Sequence, residues 1–213
     1  MTWKSVRVVL GLLMAVAAAV GCTSTPAAHR KPPHAAAAVD RSRPDFVFVL
    51  TDDLSWNLVS HMPHVLAMER AGTTFPRYYV VDSLCCPSRS AIFTGEYPHD
   101  DGVFTNAGAD GGYFAFNKHG DQRKSFALAL HDAGYRTAMM GKYLNQYEPR
   151  YPVAPGWDEW DVTGLGGYGE FGYTLNQDGQ RVRYGHAASD YLTDVLAARG
   201  RSFIDSAAAS GHP

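Results

Sequence analysis

The feature that most constrains the fold is the run Asp45-Phe46-Val47-Phe48-Val49-Leu50-Thr51, a continuous aromatic and β-branched series closed by Asp52-Asp53. A run with no polar alternation predicts a strand buried on both faces, the kind found in parallel sheets with helices on each side. The following segments keep to that plan. His64–Ala71 spaces its apolar residues as an amphipathic helix closed by Gly72, and Phe75–Val81 reads as a second strand. Pro87–Phe93 reads as a helix with proline near its first turn, where a missing N–H costs nothing. Ser125–Ala133 reads as a helix ended by Gly134, and Tyr135–Met140 as the strand after it. Residues 169–185 form a predicted hairpin that turns at Asp178-Gly179. Ala187–Ala209 is a long helical pattern with Gly200 as its potential interruption. Strands alternating with helices indicate an α/β sheet with crossover helices. The 213 residues are 46% hydrophobic and 19% charged, enough to bury a core. A formal net charge of −2 with no Lys/Arg run argues against a nucleic-acid partner.

The first residues read as an export signal. Lys4 and Arg7 precede the apolar run Val8–Val20, which is too short to span a bilayer comfortably. Ala19-Val20-Gly21-Cys22 is similar to a bacterial lipoprotein cleavage box, although its Ala19 stands where leucine is commoner. The expected organisation is a signal over 1–21, a lipid at Cys22 or simple secretion, and an Ala/Pro-rich linker over 22–43. The folded part then occupies 44–213. An alternating pattern that stops after a helix is expected to continue, so the chain reads as the N-terminal part of something longer.

Two motifs carry chemistry. Asp52-Asp53 ends a strand, where ligands of open α/β sheets bind. Taken alone, the pair reads as a solvated strand end or a cap; the functional alternative is a hard cation held between oxygen ligands. The second motif is Cys85-Cys86-Pro87-Ser88-Arg89. Neighbouring cysteines bridge each other only in strained geometry, so a disulfide is a poor explanation for this pair.

Cys85, Pro87, Ser88, Arg89, Thr94 and Gly95 resemble the signature of the sulfatase family, position for position. The segments Gly95–Val103, Met140–Tyr147, Ala154–Trp157 and Tyr191–Asp205 resemble further family blocks, most closely those of N-acetylglucosamine-6-sulfatases. The resemblance implies an alkaline-phosphatase/sulfatase-like mixed sheet flanked by helices, truncated before its C-terminal half. It implies that Cys85 is oxidised by a formylglycine-generating maturation enzyme, leaving Cys86 as an unpaired buried side chain. It further implies that Asp52, Asp53 and converted Cys85 hold Ca²⁺, or Mg²⁺, and that Arg89 and Lys142 serve the reaction. The implied reaction is cleavage of sulfate monoesters of sulfated saccharides by the aldehyde hydrate. Leu144 stands where many members of the family have a histidine. Less of the metal shell is expected than a Ca²⁺ needs, so the fragment alone should turn over little. The alternatives are a phosphonate or phosphate ester hydrolase with the same chemistry, and a non-catalytic glycan-binding lipoprotein. His99 and His119 read as structural histidines, and Asn106 as either a sugar-pocket residue or a turn residue. Tyr147, Trp157, Trp160 and Tyr168 read mostly as core, with stacking on sugar rings as the other use.

Overall fold

The computed structural model describes residues 43–213, and the signal, lipid and linker expectations for residues 1–42 lie outside them. Six α-helices are described: α1 (Pro63–Ala71), α2 (Cys85–Thr94), α3 (Pro98–Asp101), α4 (Gly112–Lys118), α5 (Phe126–Asp132) and α6 (Leu192–Ser210). One sheet is described, with strands β1 (Ala138–Lys142), β2 (Glu159–Thr163), β3 (Thr174–Gln177) and β4 (Gln180–Arg183) in spatial order 1-2-3-4. β1 and β2 run parallel, whereas β2–β3 and β3–β4 are antiparallel, so the sheet is mixed.

Helices cover both faces of this sheet. On one face Trp160 and Val162 of β2 join Phe93 of α2, Phe116 of α4, Tyr143 and Tyr147 in the main core. On the other, Leu192, Val195 and Leu196 of α6 cover Tyr173 and Leu175. Strand alternation explains the division: Asp161, between Trp160 and Val162, faces α6 and meets Arg199 at 3.1 Å.

Local chemistry accounts for the element ends. Ser125 caps α5 by accepting the Ala127 N–H at 3.2 Å. Gly95 ends α2 in the left-handed region at φ +72°. Asp178 and Gly179 have φ of +49° and +89°, the turn the hairpin needs. β1 starts three residues later than the sequence pattern predicts. The Thr137 N–H and hydroxyl are instead committed to the Asp158 carboxylate and the Gly156 carbonyl. Gly200 does not interrupt α6; it lies over Met140 of β1, whose sulfur would stand 3.8 Å from an added Cβ, an ordinary contact distance.

Two expected strands are corrected. Residues 45–51 join no ladder, and Phe46 to Leu50 are 43–75% exposed. Phe75–Val81 likewise forms no ladder and is exposed. A strand buried on both faces needs neighbours on its edges and helices above and below, and none of the described residues supplies them. The first run is nonetheless anchored at both ends of the β1 segment. Near its start Arg43 donates to the Ala133 carbonyl and Phe46 lies 5.9 Å from Tyr135, ring to ring. Just beyond its end Asp52 meets Lys142. No helix among the described residues is long and apolar enough to cross a membrane.

Candidate active site

Three segments converge at the carboxyl end of β1: the Asp52-Asp53 turn, the first turn of α2 and the last residue of β1. Cys85 is the first residue of α2, and Arg89 lies one turn further along the same helix. Arg89 is buried, and Nη1 donates to the Lys142 carbonyl at 2.5 Å while Nη2 lies 3.7 Å from the Asp52 carboxylate. Lys142 Nζ donates to the same carboxylate at 2.5 Å. The Cys85 thiol faces Asp52 Oδ1 at 3.8 Å. One donor atom each from Asp52, Asp53 and Cys85 lie within 4.8 Å of one another. All five residues singled out from the sequence thus stand together, although Asp52 and Lys142 are 90 residues apart.

The electrostatics follow from that arrangement. Burial pulls the Arg89 guanidinium below the usual arginine value, against the opposing pull of Asp52. Burial also pulls Lys142 down, but hydrogen bonds to Asp52 and Tyr168 outweigh it and leave the ammonium above the usual lysine value. Asp53 has φ +52°, a conformation that aspartate tolerates better than most residues. The carboxylates of Asp52 and Asp53 suit a hard cation. Together with Cys85 they offer three donor atoms, a partial shell for an ion that takes about 6–8 ligands.

Cys85 and Cys86 are both free thiols. Cys86 is fully buried behind Cys85, and desolvation pushes its thiol up to about 11. Leu144 is buried in the main core. His119 Nδ1 lies 2.8 Å from the Asp101 carbonyl, a structural contact, while His99 is exposed and stacks on Tyr97. Tyr147 and Trp160 are core residues, and Trp157 packs partly buried against them. Tyr168 is different: it is exposed, and its ring centroid lies 5.1 Å from Lys142 Nζ. Asn106, left open by sequence reasoning, accepts the Cys86 N–H at 2.7 Å. No signal in its neighbours announces that contact, because the partner lies 20 residues away.

Residues 44–213 match the family model described as Sulfatase. An extracellular sulfatase homologue from Caenorhabditis elegans is 40% identical over 168 residues, covering 77% of this chain and 23% of that protein. Human N-acetylglucosamine-6-sulfatase is 35% identical over 181 residues, covering 79% of this chain and 32% of that protein. Among solved structures, one determined in complex with its substrate D-glucosamine-2-N,6-O-disulfate aligns with a TM-score of 0.51 at 26% identity. That alignment covers 67% of this chain and 26% of the other. The chain therefore spans about a third or less of the length of these relatives.

Proposed function

The chain belongs to the sulfatase family, and on that premise we propose that the cluster at the end of β1 belongs to a sulfuric ester hydrolase acting on sulfated sugars. The proposed substrate class is N-acetylglucosamine-6-sulfate-like, in line with the name of the human relative and the ligand of the solved structure. One observation supports the reading above others: two carboxylates, a thiol, a guanidinium and an ammonium from three distant segments meet at one strand end.

Each side chain has a role that its surroundings suit. Asp52 and Asp53 would hold a Ca²⁺ or Mg²⁺ ion, which when bound supplies charge compensation for a sulfate oxygen. Formylglycine at Cys85, made by a maturation enzyme, supplies in its hydrated form a hydroxyl nucleophile for sulfur and a second hydroxyl that expels sulfate. Arg89 is pinned by the Lys142 carbonyl, so its charge stays fixed beside Asp52 and the nucleophile position. Lys142 holds Asp52 through a flexible ammonium, which is free to turn from that carboxylate to a sulfate oxygen as substrate arrives. Cys85 sits at the N-terminal end of α2, whose dipole favours the negative charge of the sulfate. Residues 1–21 would direct export, with a lipid at Cys22 as the proposed anchor.

The test is hydrolysis by the protein carrying this chain, produced together with a formylglycine-generating enzyme. Turnover of an aryl sulfate and of N-acetylglucosamine-6-sulfate is expected, and Cys85→Ala should abolish both. Activity surviving in Cys85→Ala defeats the reading. Faster turnover of an aryl phosphonate than of the sulfate reassigns the site to phosphonate chemistry.

A further inference from the structure

Helix α2 has no cap of its own. Its N-cap residue is Leu84, which has no side-chain acceptor. Pro87 carries no N–H, and the Ser88 N–H already bonds the Leu84 carbonyl at 3.0 Å. The open donors of the first turn therefore fall on Cys85 and Cys86. Asn106 Oδ1 takes the Cys86 N–H at 2.7 Å.

We propose that Asn106 is a positioning residue for Cys85, acting as the N-terminal cap that α2 lacks. The role of Cys85 itself rests on the function proposed above; the cap stands on geometry alone. The captured N–H belongs to the peptide whose carbonyl is that of Cys85. Holding that peptide restrains ψ of Cys85, and with it the position of the Cys85 Cβ relative to the helix. A residue next to the cluster thus helps to place the nucleophile without touching substrate.

The loop that carries Asn106 is built to hold it. Phe104 and Thr105 N–H groups both donate to the Asp110 carbonyl, at 2.7 and 3.2 Å, and the Gly112 N–H returns to the Thr105 carbonyl at 3.0 Å. The Thr105 hydroxyl donates to the Ala107 carbonyl at 2.6 Å. Gly112, at φ +66°, leaves space that any side chain would take from the Asn106 carbonyl. One residue further, the Tyr113 N–H donates to the Asn145 carbonyl at 2.8 Å, tying the same loop to the segment that follows Lys142. The cap therefore joins the helix of Cys85 to the strand of Lys142 through one hydrogen-bonded frame. Asn106 Oδ1 thus already serves the Cys86 N–H, and its second lone pair and amino group stay available to other partners.

Two variants test this. Asn106→Leu keeps the side-chain shape without the acceptor, and Asn106→Asp keeps the acceptor. Amide hydrogen exchange at Cys86 should accelerate about five-fold in Asn106→Leu and return in Asn106→Asp, with β1 and β2 unchanged. The Cys85 ¹³Cβ resonance should shift in the leucine variant and recover in the aspartate variant. In protein converted at Cys85, Asn106→Leu should lower kcat for an aryl sulfate while KM stays within two-fold of the parent, on the order of the precision of such comparisons. Unchanged exchange at Cys86, acceleration spread evenly through the sheet, or no recovery in Asn106→Asp would each overturn the proposal. Absence of turnover in the parent protein counts against the hydrolase reading instead, and the exchange and resonance measurements still decide the role of Asn106.

Discussion

Tyr147 offers a sharp stability test, because its hydroxyl is an acceptor shared by two buried donors. Trp160 Nε1 donates to it at 3.0 Å and Asn176 Nδ2 at 2.8 Å, and all three side chains are at most 1% exposed. Tyr147→Phe keeps the ring, with its edge-on contacts to Tyr113, Tyr143 and Trp160, and removes only the oxygen. It leaves an indole N–H and one carboxamide N–H facing hydrocarbon, since the other carboxamide N–H is held by the Tyr151 carbonyl at 2.8 Å. Each stranded buried donor costs about 1–3 kcal/mol. The two together give a loss of about 3 kcal/mol once some relaxation of the Asn176 amide is allowed. Urea unfolding followed by tryptophan fluorescence measures this directly, with an unchanged m-value as the check that the unfolded state is the same. A loss below about 0.5 kcal/mol would refute the reasoning, since it would mean that neither donor depends on that oxygen.

Other perturbations bear on the sheet and the site. The Tyr173 hydroxyl is buried without a hydrogen-bond partner, and burial pushes it up to about 12. Because the folded value lies above the unfolded one, its contribution to stability is intact below about pH 10 and is lost as pH rises towards 12. Tyr173→Phe should therefore flatten the alkaline end of the stability curve and stabilise at neutral pH by about 1 kcal/mol; an unaltered alkaline slope contradicts this. Arg199→Met strands the Asp161 carboxylate, which burial already pushes up. The expected cost is about 3 kcal/mol at pH 7, shrinking as the pH falls and Asp161 takes a proton; denaturant midpoints at pH 7 and 5 check the sign. Asp53→Asn should weaken Ca²⁺ binding by roughly ten-fold or more in calorimetry, and equal affinity would remove the carboxylate pair from the ion site.

Local rules made several elements legible. Asp178-Gly179 marked the hairpin, Gly95 lies just past the end of α2, and Ser125 marked the start of α5, because each demand is met within a few residues of chain. The long α6 was visible from its apolar spacing, and the five candidate site residues from the family signature and its companion blocks. The failures are long-range. The run over 45–51 has the composition of a doubly buried strand, yet strand status is a property of partners, and the described residues provide none. Conversely β2 was missed because Glu159-Trp160-Asp161 looks polar; Asp161 turns inward only because Arg199 arrives from α6, 38 residues later. Asn106 was ambiguous for the same reason, since a cap is usually sought beside its helix and this one comes from a separate loop.

The central claim is that Cys85 is the reactive group of this cluster, and mass spectrometry of the Cys85 peptide from the native organism tests it most directly. Replacement of the thiol by an aldehyde exchanges H₂S for oxygen, so the account predicts a peptide lighter by about 18 Da, with the Cys86 thiol intact and still open to alkylation after unfolding. A peptide that carries two alkylatable thiols at positions 85 and 86 in that material would contradict it.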